Sequence, residues 1–333
     1  MGKYLNSMVP FEMWKQMVGT RFFVDKTLLL EEVLNTVETD GQRFLCITRP
    51  HRFGKSVMAN MVGAFLGKAS DSENIFRELA ISENAKYKKD LNQYNVIFID
   101  FSRVPRDCSS YAQYMNRIQD GINQDLEEAY PEVRIDVSGT VWDNLLEVFE
   151  KTKETFVFVI DEWDAVFHMP FITGDRRQEY LAFLRNLLKD QAYVKLAYMT
   201  GVLPIAKYSS GSELNMFVEY DMTVMERFSS YFGFTEEEVN QLFGVYLNLV
   251  LMIAGGGIEA EIQNYAAVSM ELNTKDEIYS AMVIYGLLTY ADGAVYIPNK
   301  ELMDKFRELL MNKESMGYVK IQQKGTLHVE KIL

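Results

Sequence analysis

The chain has 333 residues, 48% of them apolar, and a formal net charge of −13. That length suits one large domain or two ordinary ones, and the apolar share supports a sizeable core. So acidic a surface repels phosphate backbones. It argues against a broad nucleic-acid-binding face while leaving room for a local basic pocket.

Residues 1–24 mix charged and aromatic side chains and lack an apolar signal core. The apolar run Leu247–Ile253 is too short to span a bilayer. The expectation is a cytoplasmic protein without a membrane partner. Cys46 sits in an apolar run and Cys108 in a polar one, so neither a disulfide framework nor a zinc spacing is present. His51, His168 and His328 are far apart in sequence, which makes a histidine-based metal site improbable.

Four short apolar runs, Arg43–Ile47, Val96–Phe101, Phe156–Ile160 and Lys195–Met199, read as strands buried on both faces, because none alternates cleanly. Helical spacing falls between them. Val57, Met58, Met61, Val62 and Phe65 share one face. Tyr111, Tyr114, Met115, Ile118, Ile122 and Leu126 share another, and Leu181, Leu184, Leu187 and Leu188 a third. Strands alternating with helices predict an α/β fold, a mostly parallel sheet flanked by helices, over residues 1–230.

Residues 231–333 read as a mainly helical second region. Thr235 and Glu238 form a capping box ahead of the stripe Val239, Leu242, Phe243 and Tyr246. Gly255, Gly256 and Gly257 mark a loop. A helix from about Asp276 to Leu288, a turn at Asp292-Gly293, a strand at Val295–Ile297 and a helix opened by Asn299 suggest a winged-helix-like arrangement. The last residues show no period, and no internal repeat is evident.

The most informative segment runs from Arg43 to Ser56, where a buried strand enters a loop and the loop enters an amphipathic helix. This is the context a P-loop requires. Gly54 lets backbone approach phosphate closely, Lys55 reaches the β- and γ-phosphates, and the Ser56 hydroxyl ligates Mg²⁺. The first turn of the helix supplies unpaired amides and a positive dipole end. Arg49 stands where the usual pattern has its first glycine. Pro50 holds Arg49 extended and stiffens the loop. Arg49, Arg52 and Lys55 put three positive charges around a polyphosphate, with His51 and Phe53 completing the loop.

Phe156–Ile160 ends in Asp161 and Glu162, at the edge of a parallel sheet where ligands bind. Asp161 is placed to hold Mg²⁺, and Glu162 to polarise the attacking water. An Asp-Glu pair of this kind marks P-loop ATPases with an extra strand between the two motifs, and Val96–Phe101 is the candidate for it. Asp164 belongs to the site or caps the next segment. Thr200 is either a γ-phosphate sensor or a turn residue beside Gly201. Arg185 and Arg227 are candidate charge stabilisers, and solvated arginines are the better reading of each alone.

Taken in order, Phe23–Thr27, Thr48–Ser56, Ile160–Asp164, Thr200–Val202, Phe232–Glu238 and Ile297–Glu301 resemble the bacterial AAA-ATPase-like family, whose members are often fused to a PD-(D/E)XK nuclease-like domain. The resemblance covers about residues 8–312 and includes the Arg-Pro-x-Arg-Phe-Gly-Lys-Ser loop. It implies an ASCE-type P-loop fold, ATP as ligand, and the roles above for Lys55, Ser56, Asp161 and Glu162. It also implies that Asp25 and Lys26 lie near the nucleotide; read alone, they are a charged turn before a helix. The family's Trp-, Tyr- and Gly-rich segment with Tyr-Asn-Pro has no counterpart after Tyr246. No Asp…Glu-x-Lys constellation is evident in the tail, so no nuclease activity is expected of this chain. The leading expectation is a slow Mg-dependent ATPase acting as a switch toward an unidentified protein partner. A non-enzymatic nucleotide-gated interaction module and a P-loop kinase are the alternatives.

Overall fold

The apolar runs become strands of one sheet in the computed structural model, which describes residues 2–20, 23–37, 42–85, 87–208, 213–221, 227–235, 238, 248, 251–262 and 275–311. β1 (Phe44–Thr48), β2 (Asn95–Asp100), β3 (Phe156–Asp161), β4 (Val194–Gly201) and β5 (Val218–Tyr220) pair in the order β2-β3-β4-β1-β5. Every pairing is parallel. Successive side chains enter opposite cores. Leu45, Ile47, Val157, Val159, Leu196 and Tyr198 face one layer. Phe44, Cys46, Phe158, Ile160, Ala197 and Met199 face the other. Both layers are apolar, which is why the strands read as continuous runs.

α1 (Val9–Val18), α2 (Leu29–Val37) and α3 (Lys55–Leu66) lie on the first face. α4 (Tyr111–Ala129), α5 (Val141–Thr152) and α6 (Gly174–Leu188) lie on the second. Local chemistry starts α4 and α5: the Ser110 and Thr140 hydroxyls accept the amides of Gln113 and Asp143.

The strand between the two motifs is not the one expected. Val96–Phe101 corresponds to β2, at the outer edge of the sheet, and β4 lies between β1 and β3. Crossover handedness accounts for this. A right-handed connection through α3 carries the chain one way across the sheet, and connections through α4, α5 and α6 on the opposite face carry it back, so β4 fills the gap beside β1. That gap is the topological switch point, where a doubly wound sheet opens its crevice.

The chain divides into two compact units, Met1–Gly233 and Phe234–Leu333. In the second, the Thr235 hydroxyl accepts the Glu238 amide while the Glu238 carboxylate accepts the Thr235 amide, at 3.2 and 2.8 Å, so the capping box forms. The stripe Val239, Leu242, Phe243 and Tyr246 lies outside the described residues. β6 (Ile258–Glu259), β7 (Thr289–Ala291) and β8 (Ala294–Tyr296) make an antiparallel sheet in the order β6-β8-β7. A hairpin thus replaces the single strand expected. Its turn residues, Asp292 and Gly293, both have positive φ, 52° and 80°. α7 (Lys275–Ile284) stops short of Leu288. Gly286, at φ 71°, sends its amide to the Val283 carbonyl and the Leu287 amide to that of Met282, which terminates the helix. α8 (Lys300–Met311) begins where the Asn299 side chain accepts the Leu302 amide at 2.9 Å. Among the described residues no helix is long and apolar enough to cross a membrane.

Candidate functional site

The crevice beyond β1, β4 and β3 is built mainly from three segments. The first is the loop from Arg49 to Gly54. β1 delivers it buried, and α3 takes it over with Gly54 as N-cap, at φ 80° and ψ 13°, in the left-handed region open to glycine. No side chain caps α3 and its first turn carries no acid, so its leading amides stay available to an anion. Pro50, His51 and Arg52 are exposed, Phe53 and Gly54 half-buried, Lys55 buried and Ser56 exposed. Arg52 also has a positive φ, 70°.

The second segment is the end of β3. Asp161 is 3% exposed and terminates the strand. Its carboxylate accepts the Thr200 hydroxyl at 2.5 Å, and the Ser56 side chain is near enough to favour its ionised form. Burial pushes the Asp161 carboxyl above its ordinary value. The Thr200 hydrogen bond and the nearby Ser56 hydroxyl oppose that, and the neighbouring charges of Asp100 and Glu162 add to it. Glu162, at φ 52°, leaves the strand in a left-handed turn. Its carboxylate lies 3.5 Å from the Lys55 ammonium, which also donates to the Pro50 carbonyl at 3.3 Å. The third segment is the end of β4, where Thr200 is fully buried and its hydroxyl also receives the Glu162 amide at 3.4 Å.

Lys55, Ser56, Asp161, Glu162 and Thr200 therefore converge on one crevice, from positions up to 145 residues apart in the sequence. Asp164 stands apart from them. Its carboxylate accepts the amides of Val202 and Leu203 at 2.9–3.2 Å and so holds the turn after β4.

Arg49 departs from the sequence reading. Its side chain is not one of the charges presented to a polyphosphate. It is 2% exposed and donates to the carbonyls of Thr48 and Tyr220 at 2.8 and 2.7 Å. Its guanidinium also lies 5.4 Å from the centre of the Phe232 ring. Burial lowers the pKa of Arg49, with the Asp221 and Tyr198 charges opposing. The partners of Arg49 are distant in sequence, which is why the loop alone did not reveal them. Arg52 and Lys55 remain as the loop's own cations.

Asp25 and Lys26 do not present free side chains to the loop. Asp25 accepts the Thr27 amide and hydroxyl and the Ala80 amide, at 2.6–2.8 Å, and thereby ties the start of α2 to the segment at Ala80. Lys26 is 7% exposed and donates to the Ser230 carbonyl at 2.6 Å. Arg227 is held by Glu32 at 2.7 Å. Arg185 lies in the last turn of α6, which leads into the start of β4 at the sheet edge opposite the crevice.

Sequence reasoning missed Asp100. It ends β2 directly in register with Asp161, and its carboxylate accepts the Ser102 amide and hydroxyl and Arg103 Nε at 2.6–2.9 Å. The signal was present, since Asn95–Asp100 and Phe156–Asp161 are both apolar runs closing on aspartate. Among the described residues, no group of three or more His, Cys, Asp or Glu side chains is arranged to hold a metal alone.

No curated protein matches this chain significantly. Among solved structures, similar chains come from the Drosophila ORC bound to GC-rich DNA and Cdc6 (13% identity, 91% of this chain and 96% of that one, TM-score 0.31), a Walker-type ATPase of Pyrococcus abyssi (12%, 85% and 94%, 0.33), and the Aeropyrum pernix ORC2 protein in ADPNP–ADP complexes (11%, 92% and 96%, 0.31). Likeness this distant carries no argument, and the fold assignment rests on the sheet order of this chain. A model of the family described as predicted AAA-ATPase matches residues 12–210, more than half of the sequence and all of the crevice, so the chain belongs to that family.

Proposed function

We propose that the chain binds Mg·ATP in this crevice, hydrolyses it slowly to ADP and phosphate, and works as a nucleotide-driven conformational switch. One observation carries the reading most: the start of α3 and the end of β3 come together, with the Lys55 ammonium 3.5 Å from the Glu162 carboxylate and the Ser56 hydroxyl near enough to Asp161 to favour its ionised form. A hydroxyl and a carboxylate facing each other beside unpaired helix amides form the donor set of a P-loop magnesium site. The residues fit that ion. Asp100, Asp161 and Glu162 concentrate negative charge there, and burial of Asp161 has already raised its pKa. Ser56 and Asp161 would hold magnesium here, and the ion would supply neutralisation of phosphate charge.

The rest is done by the chain. The amides of the loop and of the first turn of α3 cradle the phosphates. Lys55 leaves Glu162 for the β- and γ-phosphates, and this exchange frees the Glu162 carboxylate to accept a proton from the attacking water. Thr200 touches Asp161 and the Glu162 backbone, so it links the γ-phosphate position to both. The choice of ATP over GTP rests on the family. Glu162 acting as a base toward water would favour hydrolysis over transfer to another acceptor.

Glu162→Gln keeps the hydrogen-bonding shape and removes the base. It should retain ATP binding and lose phosphate release by about 10²–10⁴-fold. The measurement pairs calorimetry with a phosphate-release assay. Undiminished release from Glu162→Gln would remove the hydrolytic role of this residue. ATP binding without any release by the wild-type protein would replace hydrolysis with a nucleotide-gated interaction module.

A further inference from the structure

The first unit closes on a short strap, Ser229–Gly233, that touches the loop at both ends. At one end the Phe232 ring lies against the Arg49 guanidinium, 5.4 Å from centroid to carbon. At the other the Gly233 amide donates to the Phe53 carbonyl at 3.0 Å. Gly233 has φ +75°, which strains any other residue, and a Cβ there would press on the Phe53 ring at 3.2 Å. From beneath, Lys26 holds the strap through the Ser230 carbonyl at 2.6 Å.

Arg49 also fixes the loop to the sheet on both sides of β1. Its amide donates to the Gly201 carbonyl of β4 at 3.1 Å, and its guanidinium to the Tyr220 carbonyl of β5 at 2.7 Å. A desolvated cation against an aromatic face is among the stronger pairings of this kind.

We propose that Arg49 is a positioning residue and that the Phe232–Gly233 strap clamps the phosphate loop into its binding shape before the nucleotide arrives. The inference rests on the loop being the nucleotide site, as proposed above, and adds what holds it there. A glycine at the first loop position would give backbone freedom that ligand binding must then remove. Arg49 and the strap remove it in advance, so less ordering entropy is lost on binding. The strap is also the last segment before the second unit begins at Phe234. The chain link between the units is therefore joined directly to the loop.

The test is MgATP affinity, with turnover at saturating ATP and melting temperature recorded for each variant. Phe232→Leu removes the ring but keeps an apolar side chain, and Phe232→Tyr restores the ring. Gly233→Ala disturbs the strap's contact with the opposite end of the loop, at Phe53. The expected result is a Kd for MgATP raised about tenfold in Phe232→Leu and in Gly233→Ala, a loss of roughly one such contact. Saturated turnover should change much less than Kd, and Phe232→Tyr should return near the wild-type Kd. A purely structural role would lower the melting temperature and leave the Kd of the folded fraction alone.

Wild-type Kd in both Phe232→Leu and Gly233→Ala, with Lys55→Ala abolishing binding, would overturn the clamp while leaving the nucleotide site intact. No MgATP binding by the wild-type protein would overturn both.

Discussion

Asp161 shows how a single residue at the proposed site can be costly to the fold. Burial, then the charges of Asp100 and Glu162, disfavour its ionised form, and two hydroxyls only partly compensate. A carboxyl whose folded pKa is raised holds its proton more tightly in the folded state, so folding is penalised wherever the unfolded chain is ionised. The penalty is absent below the ordinary value of 3.8, grows as pH rises through the folded value, and is complete above it. Asp161→Asn retains an oxygen for Thr200 and removes the charge. Without added nucleotide it should melt a few degrees above wild type at neutral pH, and the difference should vanish in acid. A pH series of melting curves checks this, and a destabilised Asp161→Asn at neutral pH would contradict it. At this scale the placements that depend on local context were legible: Gly54, Lys55 and Ser56 follow a strand and open a helix, as their sequence setting predicts. The burial of Arg49 was not, because it depends on Tyr220 and Phe232, more than 170 residues away.

The elements are fixed by packing as much as by propensity. α1 crosses α3 at Gly63, where a Cβ would sit 2.9 Å from the Pro10 side chain and 3.3 Å from the Phe98 ring. Alanine at this position gains about 1 kcal/mol of helix propensity but overpacks a closed contact, which costs about 1–3 kcal/mol. The second effect should win. Gly63→Ala is expected to lower unfolding free energy by about 1 kcal/mol in denaturant titration, and a stabilised protein would mean that α1 can shift aside. Sequence periodicity located the four long strands and most helices because each buries a full face. It missed β5, whose Val-Glu-Tyr carries too few residues for any period, and β7, whose three residues are all exposed. It also misassigned the intervening strand, since the order of strands in space follows from crossover handedness rather than from order in sequence.

Over the whole chain, a net charge of −13 coexists with a crevice whose loop offers Arg52, Lys55 and free helix amides. Positive potential is local and carboxylates crowd its far wall, so on the proposed reading magnesium would be needed to bring the phosphates of ATP against this acidic wall. A ligand bound only by the folded state raises stability by RT ln(1 + [L]/Kd), about 2.7 kcal/mol at a hundredfold excess over Kd. The most direct measurement is calorimetric titration of ATP into wild-type, Ser56→Ala and Asp161→Asn proteins, each with magnesium and with EDTA. The account predicts strong binding by the wild type in magnesium, with both variants and every EDTA titration falling to a common weak level. Equal wild-type affinity in magnesium and EDTA, unchanged in both variants, would contradict it.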